Sequence, residues 1–222
     1  MRAILVCVLL LIAAATSATA GAWLRAKGTG FASTTSTVRQ FSDQIWQETS
    51  VYIEYGLGKR LTMGVDYNQG STTSGHALLF ARIPLGKPNH KYRFSAELGL
   101  GMHYLGYFQG KMHKLTLSYG RSVTTRFGPG WLAIDLASEQ RQGLPGPTIK
   151  LDTTFGLTGE RRLQPMIQIE TSQPAIGPIN WAIIPSIRIR GKKKRTWVIG
   201  AERKSTGGFS SIGVRLAFWH EF

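Results

Sequence analysis

Apolar residues recur at every second position through most of the chain, in short runs broken by glycine, lysine, asparagine and serine. The last run is the clearest. Ile212, Val214, Leu216, Phe218, His220 and Phe222 share one parity, while Ser211, Gly213, Arg215, Ala217, Trp219 and Glu221 share the other. Successive side chains of a strand point to opposite faces, so this segment greases one surface and keeps the other small or polar. Lys91 to Tyr104 repeats the pattern. Tyr92, Phe94, Ala96, Leu98, Leu100, Met102 and Tyr104 form one row, and Arg93, Ser95, Glu97, Gly99, Gly101 and His103 the other.

Extending this reading between turn signals predicts twelve strands. They are Ala22 to Ala32, Ser50 to Leu57, Leu61 to Asn68, Gly75 to Leu85, Lys91 to Tyr104, His113 to Thr125 and Trp131 to Ala137, followed by Thr148 to Thr158, Gln164 to Thr171, Asn180 to Arg190, Thr196 to Lys204 and Ser210 to Phe222. A soluble sandwich strand alternates in the same way. The connections favour a membrane barrel. One set is longer and polar: Ser33 to Thr49, Gln69 to Ser74, Leu105 to Met112, Ser138 to Pro147, Ser172 to Ile179 and Ser205 to Phe209. The other is tight and mostly basic: Gly58 to Arg60, Gly86 to His90, Arg126 to Gly130, Gly159 to Arg162 and Gly191 to Arg195. The two sets alternate, as the outer loops and inner turns of an outer-membrane barrel do. The expected fold is all-β, an antiparallel transmembrane up-and-down barrel of about twelve strands, with ten or fourteen as alternatives.

Two resemblances follow from these residues. A terminal Phe222 preceded by apolar residues at alternate positions, Phe218 among them, resembles the sorting signal recognised by the barrel-assembly machinery of Gram-negative outer membranes; His220 stands where an aromatic is usual. The stretches Tyr55-Gly56-Leu57-Gly58-Lys59-Arg60-Leu61 and Phe155-Gly156-Leu157-Thr158-Gly159-Glu160-Arg161-Arg162-Leu163 are similar to a hairpin recurring in proteobacterial outer-membrane barrels of uncharacterised type. The resemblance implies an architecture and an address in the outer membrane. It implies no activity.

The N-terminus agrees with that address. Met1-Arg2 is a short positive region, Ala3 to Ala15 is apolar, and Ala18-Thr19-Ala20 is a small-x-small site, so residues 1–20 form an expected cleaved signal peptide and residues 21–222 the barrel domain. The apolar run is short of the ~20 residues of a spanning helix. Cys7, the single cysteine, lies in the signal, which excludes disulfide scaffolds and thiolate chemistry from the mature chain. The net charge of +15 would suggest nucleic acid in a cytosolic protein. An exported one meets outer-membrane lipid, lipopolysaccharide and small ions or solutes instead, and no nucleic acid.

Setting the apolar row outward turns Glu54, Asp66, Arg93, Glu97, Asp135, Lys150, Asp152, Glu170, Arg188, Arg190, Glu202 and Arg215 toward the lumen. These are the candidate lumen charges. A twelve-stranded barrel lies between small filled barrels and wide porins, so an open charged channel and a salt-bridged plug are both compatible with them. Lys192, Lys193, Lys194 and Arg195 are candidates for anionic head groups, and Phe218, His220 and Phe222 for the assembly signal. Trp46, with Phe41 and Ile45, is expected to fold onto the mouth, and Ser33 to Thr49 with Ser138 to Pro147 to constrict it. His76, His90, His103, His113 and His220 pair with no serine at a family spacing, and no metal-ligand spacing or cofactor motif appears. The functional expectation is a narrow porin-like channel for small solutes. The alternatives are a closed surface barrel that binds lipid, lipopolysaccharide or a partner through its loops and basic turns, and a lipid-modifying hydrolase.

Overall fold

The computed structural model describes residues 21–70, 73–87 and 91–222. The expected signal peptide and His90 lie outside the described residues. Twelve strands follow one another: β1 Gly30–Phe41, β2 Gln44–Gly58, β3 Leu61–Gly70, β4 Ser74–Leu85, β5 Tyr92–Leu105, β6 Phe108–Thr125, β7 Gly128–Arg141, β8 Thr148–Leu157, β9 Leu163–Gln173, β10 Asn180–Arg190, β11 Arg195–Thr206 and β12 Phe209–Glu221. Each pairs antiparallel with its neighbours in sequence, and β1 closes on β12 from Phe31 opposite Glu221 to Gln40 opposite Ile212. Closure leaves no unpaired edge, so every backbone polar group inside a hydrocarbon layer finds a partner in the wall. The final residue completes the seam, with Gly30 N–H donating to the Phe222 carbonyl at 2.7 Å and Phe222 N–H donating to that of Gly30 at 3.0 Å.

The outer surface is the predicted apolar row. Leu79, Ile83, Leu98, Leu100, Leu115, Leu117, Ile199, Ile212 and Val214 are exposed, while Glu54, Glu97, Glu139, Glu202 and Arg82 are buried inside. That inversion of a soluble protein is what a hydrocarbon surround requires, because a charge facing lipid near mid-membrane costs about 2–4 kcal/mol. Outward aromatics gather at the end that carries the termini: Tyr55, Tyr92, Phe94, Tyr119 and Trp197, with Trp197 packed on Phe218 at 4.9 Å.

The first hairpin departs from expectation. Ser33 to Thr49 is no loop; it is the upper part of β1 and β2, joined by a turn at Ser42 and Asp43. The tract escapes an apolar-alternation test because the outward row of β1 is Ala32, Thr34, Ser36, Val38 and Gln40, with Ser36 accepting from Gln47 Nε2 at 3.4 Å. Threonine nonetheless suits a strand, and the inward row Ser33, Thr35, Thr37 and Arg39 suits a wet lumen. Strands β7 and β11 also run further than predicted, so the connections at this far end are short, the longest being residues 142–147 and 174–179.

Residues 22–29, predicted as the start of the first strand, form no part of the wall: residues 22–25 run inside the barrel and Ala26 to Gly28 are exposed where the chain turns. Ala22 is buried, and Trp23 packs against the cluster of Trp131, Ala133, Met166, Val198 and Ala217. The chain reverses at Ala26 to Thr29, where Thr29 N–H donates to the Ala26 carbonyl at 3.0 Å, and then climbs as β1. Lys27 forms a parallel bridge with Gly56 on the way. Two inward glycines make the seat. A Cβ at Gly56 would collide with the Ala26 and Arg25 carbonyls, and one at Gly120 would collide with the Trp23 ring. Lumen glycines that accept a particular backbone and a particular indole make this inner strap a property of the sequence.

The turn between β10 and β11 carries the basic run. Lys193 and Lys194 stand at φ 54° and 57°. Consecutive left-handed residues make a tight hairpin turn that favours Asn-Gly over lysine. Replacing Lys193-Lys194 with Asn-Gly is expected to stabilise the fold by about 1 kcal/mol. A urea midpoint unchanged by that swap would show that the left-handed backbone costs the native turn nothing.

Candidate functional site

The lumen charges form linked ion pairs. Near the termini, Arg25 of the strap pairs with Glu54 of β2. Glu54 also takes Arg82 of β4 at 2.8 Å, and Arg82 reaches Glu97 of β5 at 2.5 Å. Tyr52 donates to Glu54 at 3.0 Å and stacks on Phe80 at 5.2 Å. Every member is enclosed, so each carboxylate depends on its guanidinium partner rather than on water.

A second chain lies toward the far end. Arg39 of β1 bridges Glu48 of β2 at 2.6 Å and Glu202 of β11. Glu202 receives Arg215 of β12 at 2.7 Å, and Arg215 continues to Glu170 of β9 at 2.6 Å. This chain separates two spaces. Below it is a mid-lumen cavity of about 380 Å³, lined by Glu54, Lys114, Asp135, Asp152, Glu170 and Arg215 among others. Above it is a mouth cavity of about 470 Å³ lined by Phe41, Trp46, Glu48, Lys204 and Phe209. Trp46 therefore stands in the mouth wall, beside Phe41 and Phe209, whose rings meet edge to face at 5.6 Å. Ile45 faces outward instead. The mouth is shaped by these strand ends, and the expected constriction by Ser33 to Thr49 gives way to a bar of ion pairs.

Two smaller groups complete the lumen. Lys114 of β6 reaches across to Asp66 of β3 at 2.9 Å, and His76 Nε2 stands 3.6 Å from the same carboxylate. Glu139 takes Lys150 at 2.8 Å and Arg141 at 3.1 Å. Asp135, Asp152 and Glu170 are consecutive register partners across β7, β8 and β9. Among the described residues, Glu170 has Arg215, and Asp135 and Asp152 have no ion pair.

The structure brings Glu54 and Glu97 into the first network, and Glu170, Glu202 and Arg215 into the second. Asp66 and Lys150 fall in the smaller groups. Arg188 sits near the termini, donating to the Leu157 carbonyl, with its guanidinium 5.8 Å from the Trp131 ring and 6.0 Å from Trp219. Arg93 is half-buried on the inner row, and Arg190 is at the rim, donating to the Gly159 carbonyl at 2.8 Å. Lys192 to Arg195 are exposed on their turn. Phe218 faces outward, and His220 packs on Phe222 at 6.0 Å.

Several members were not singled out from the sequence. Arg39, Glu48, Glu139 and Arg141 lie in tracts assigned to loops, and Arg25 in one assigned to a wall strand. Arg82 and Lys114 share parity with neighbours that face inward, a signal that was present. For Arg82 it is masked by Ala77-Leu78-Leu79-Phe80-Ala81, apolar on both faces because Leu78 and Phe80 pack inside.

No family model matches the chain, and no curated protein matches it. Solved structures do. The KdgM porin in complex with disordered oligogalacturonate is 11% identical, with a TM-score of 0.61 over 86% of this chain and 99% of that one. The NanC porin is 9% identical, with a TM-score of 0.58 over 84% and 98%. An outer-membrane channel from Pseudomonas putida F1 is 11% identical, with a TM-score of 0.59 over 93% and 100%. At this identity the likeness is one of fold. The chain has the closed, antiparallel β-barrel fold seen in these outer-membrane porins and channels.

Proposed function

We propose that the protein is a narrow porin-like channel of the outer membrane, passing small polar or charged solutes by diffusion. The observation that carries this reading is the mid-lumen cavity of about 380 Å³, enclosed by a closed wall and lined by fixed charges of both signs. Such a lining replaces part of a solute's hydration, and its paired charges keep any one ion from binding too tightly to leave. The likeness to porins and to a channel from Pseudomonas supports it. With the termini on the periplasmic side, the strap narrows the inner end and the Arg39–Glu202–Arg215–Glu170 chain narrows the outer one.

Proteoliposome swelling in glycine or arabinose tests the proposal. The folded protein is expected to give swelling above that of empty vesicles, and Arg215→Ala to accelerate it by opening the bar between the two cavities. No swelling from protein shown to be folded by heat-modifiable mobility would overturn the reading.

The second reading is a closed barrel, favoured by the number of lumen charges consumed in ion pairs. Its contacts would be at the surface. The leader 1–20 would direct export, and Phe218, His220 and Phe222 would present the last strand to the barrel-assembly machinery. Lys192 to Arg195, at the periplasmic rim, would meet anionic inner-leaflet head groups at about 1 kcal/mol per charge. The opposite turns would meet lipopolysaccharide.

A further inference from the structure

Gly21, the first described residue of the strap, lies beneath a row of register partners, Ser95 on β5, Ser118 on β6 and Asp135 on β7. Its carbonyl accepts the Ser95 hydroxyl at 2.9 Å. A Cβ built on it would stand 2.7 Å from Ser118 Oγ and 2.8 Å from Asp135 Oδ1, so a larger residue would push those side chains aside. Asp135 Oδ1 is itself buried, with no hydrogen-bond partner among the described residues. Asp152, next in the row, has no ion pair among them either. A buried carboxylate without a counter-ion is strongly unfavourable, so this corner of the lumen calls for a cation.

We infer that the missing cation is the protein's own α-ammonium group, created at Gly21 when the signal is cleaved after Ala20. The nitrogen and the built Cβ are both substituents of the Gly21 Cα, so turning a freed terminus by roughly 120° about the Cα–C bond, which leaves the carbonyl on Ser95, carries the nitrogen to the place of that Cβ, at hydrogen-bond range of the Asp135 carboxylate. An uncleaved chain presents a neutral amide there. Cleavage replaces it with an ammonium that pairs with Asp135 and is shared with Asp152, fastening the end of the strap inside the lumen. Maturation is thereby coupled to the inner architecture of the channel. The inference rests on removal of residues 1–20, and it holds whether the lumen conducts or is plugged.

The test begins with N-terminal sequencing of the protein extracted from outer membranes, which should start at Gly21. Reductive methylation with formaldehyde and cyanoborohydride at neutral pH, read on the N-terminal peptide by mass spectrometry, then reports the amine. In the folded barrel the α-amine is expected to label at least about tenfold more slowly than in urea, the factor that one charge-assisted hydrogen bond supplies. Asp135→Asn should restore most of that rate. A second variant with two alanines inserted between Ala20 and Gly21 moves the ammonium off the carboxylate and should label nearly as fast as unfolded chain; it decides the matter if Asp135→Asn fails to fold. A mature N-terminus other than Gly21 would overturn the maturation step. Gly21 found at the terminus but labelled equally fast folded and unfolded, or unaffected by both variants, would overturn the pairing.

Discussion

Deleting residues 21–29, so that the processed chain begins at β1, is expected to raise single-channel conductance severalfold. The wall should survive the deletion, because the β1 register with β2 and β12 starts at Gly30 and Phe31 and uses no strap residue. What leaves is a backbone segment carrying a tryptophan and an arginine up the inner side of the lumen to the level of Asp135. A twelve-stranded lumen is much narrower than that of the 16- to 18-stranded porins, so a backbone strap inside it occupies much of the open cross-section. Trp23 is the bulk of it, seated against Gly120. Gly120→Leu should act in the same direction with a smaller effect, by expelling the indole while leaving the rest of the strap in place. Planar-bilayer recording on both variants checks this. Unchanged step size after the full deletion would mean that ions bypass the strap, and that the constriction lies at the Arg39–Glu202 bar.

Arg82→Met is expected to destabilise the folded barrel by about 3–5 kcal/mol, the usual cost of leaving buried carboxylates without their partner. Arg82 is 4% exposed, and it serves both Glu54, at 1%, and Glu97, at 6%. Its loss leaves Glu97 without its guanidinium and Glu54 with Arg25 and the Tyr52 hydroxyl. The double variant Arg82→Met, Glu97→Gln should recover a large part of the loss, because Glu97 is then uncharged while Glu54 keeps Arg25 as its counter-ion. Urea unfolding in lipid vesicles, followed by tryptophan fluorescence, measures both. Equal stabilities for Arg82→Met and the wild type would show that water in the lumen solvates these carboxylates despite their enclosure.

The strand pattern made the barrel legible because hydrocarbon imposes a strict rule on the outer face. Ile212, Val214 and Leu216, or Leu98 and Leu100, have one permitted direction, and their parity fixes the opposite row as lumen. Legibility failed where that rule relaxes. Thr34 and Ser36 face outward on β1 without a large apolar side chain, so the tract resembled a loop. Leu78 and Phe80 face inward, Phe80 stacking on Tyr52 beneath the Arg82 guanidinium, so the alternation in β4 is lost. The strap was hidden for a different reason. Ala22, Trp23 and Arg25 carry a plausible strand pattern, and only the contacts made by Gly56 and Gly120, distant in sequence, place them inside. Ion-pair partners were illegible throughout, since Lys114 with Asp66 or Arg215 with Glu170 are joined by the circumference of the barrel and by nothing local.

Single-channel recording of the folded mature protein in a planar bilayer under a salt gradient decides whether this barrel encloses a conducting path. Discrete steps of small conductance are expected, with a reversal potential displaced from zero by the fixed lumen charges. A protein that is folded and inserted, yet electrically silent across the voltage range, would contradict the channel reading and establish the ion-paired lumen as a plug.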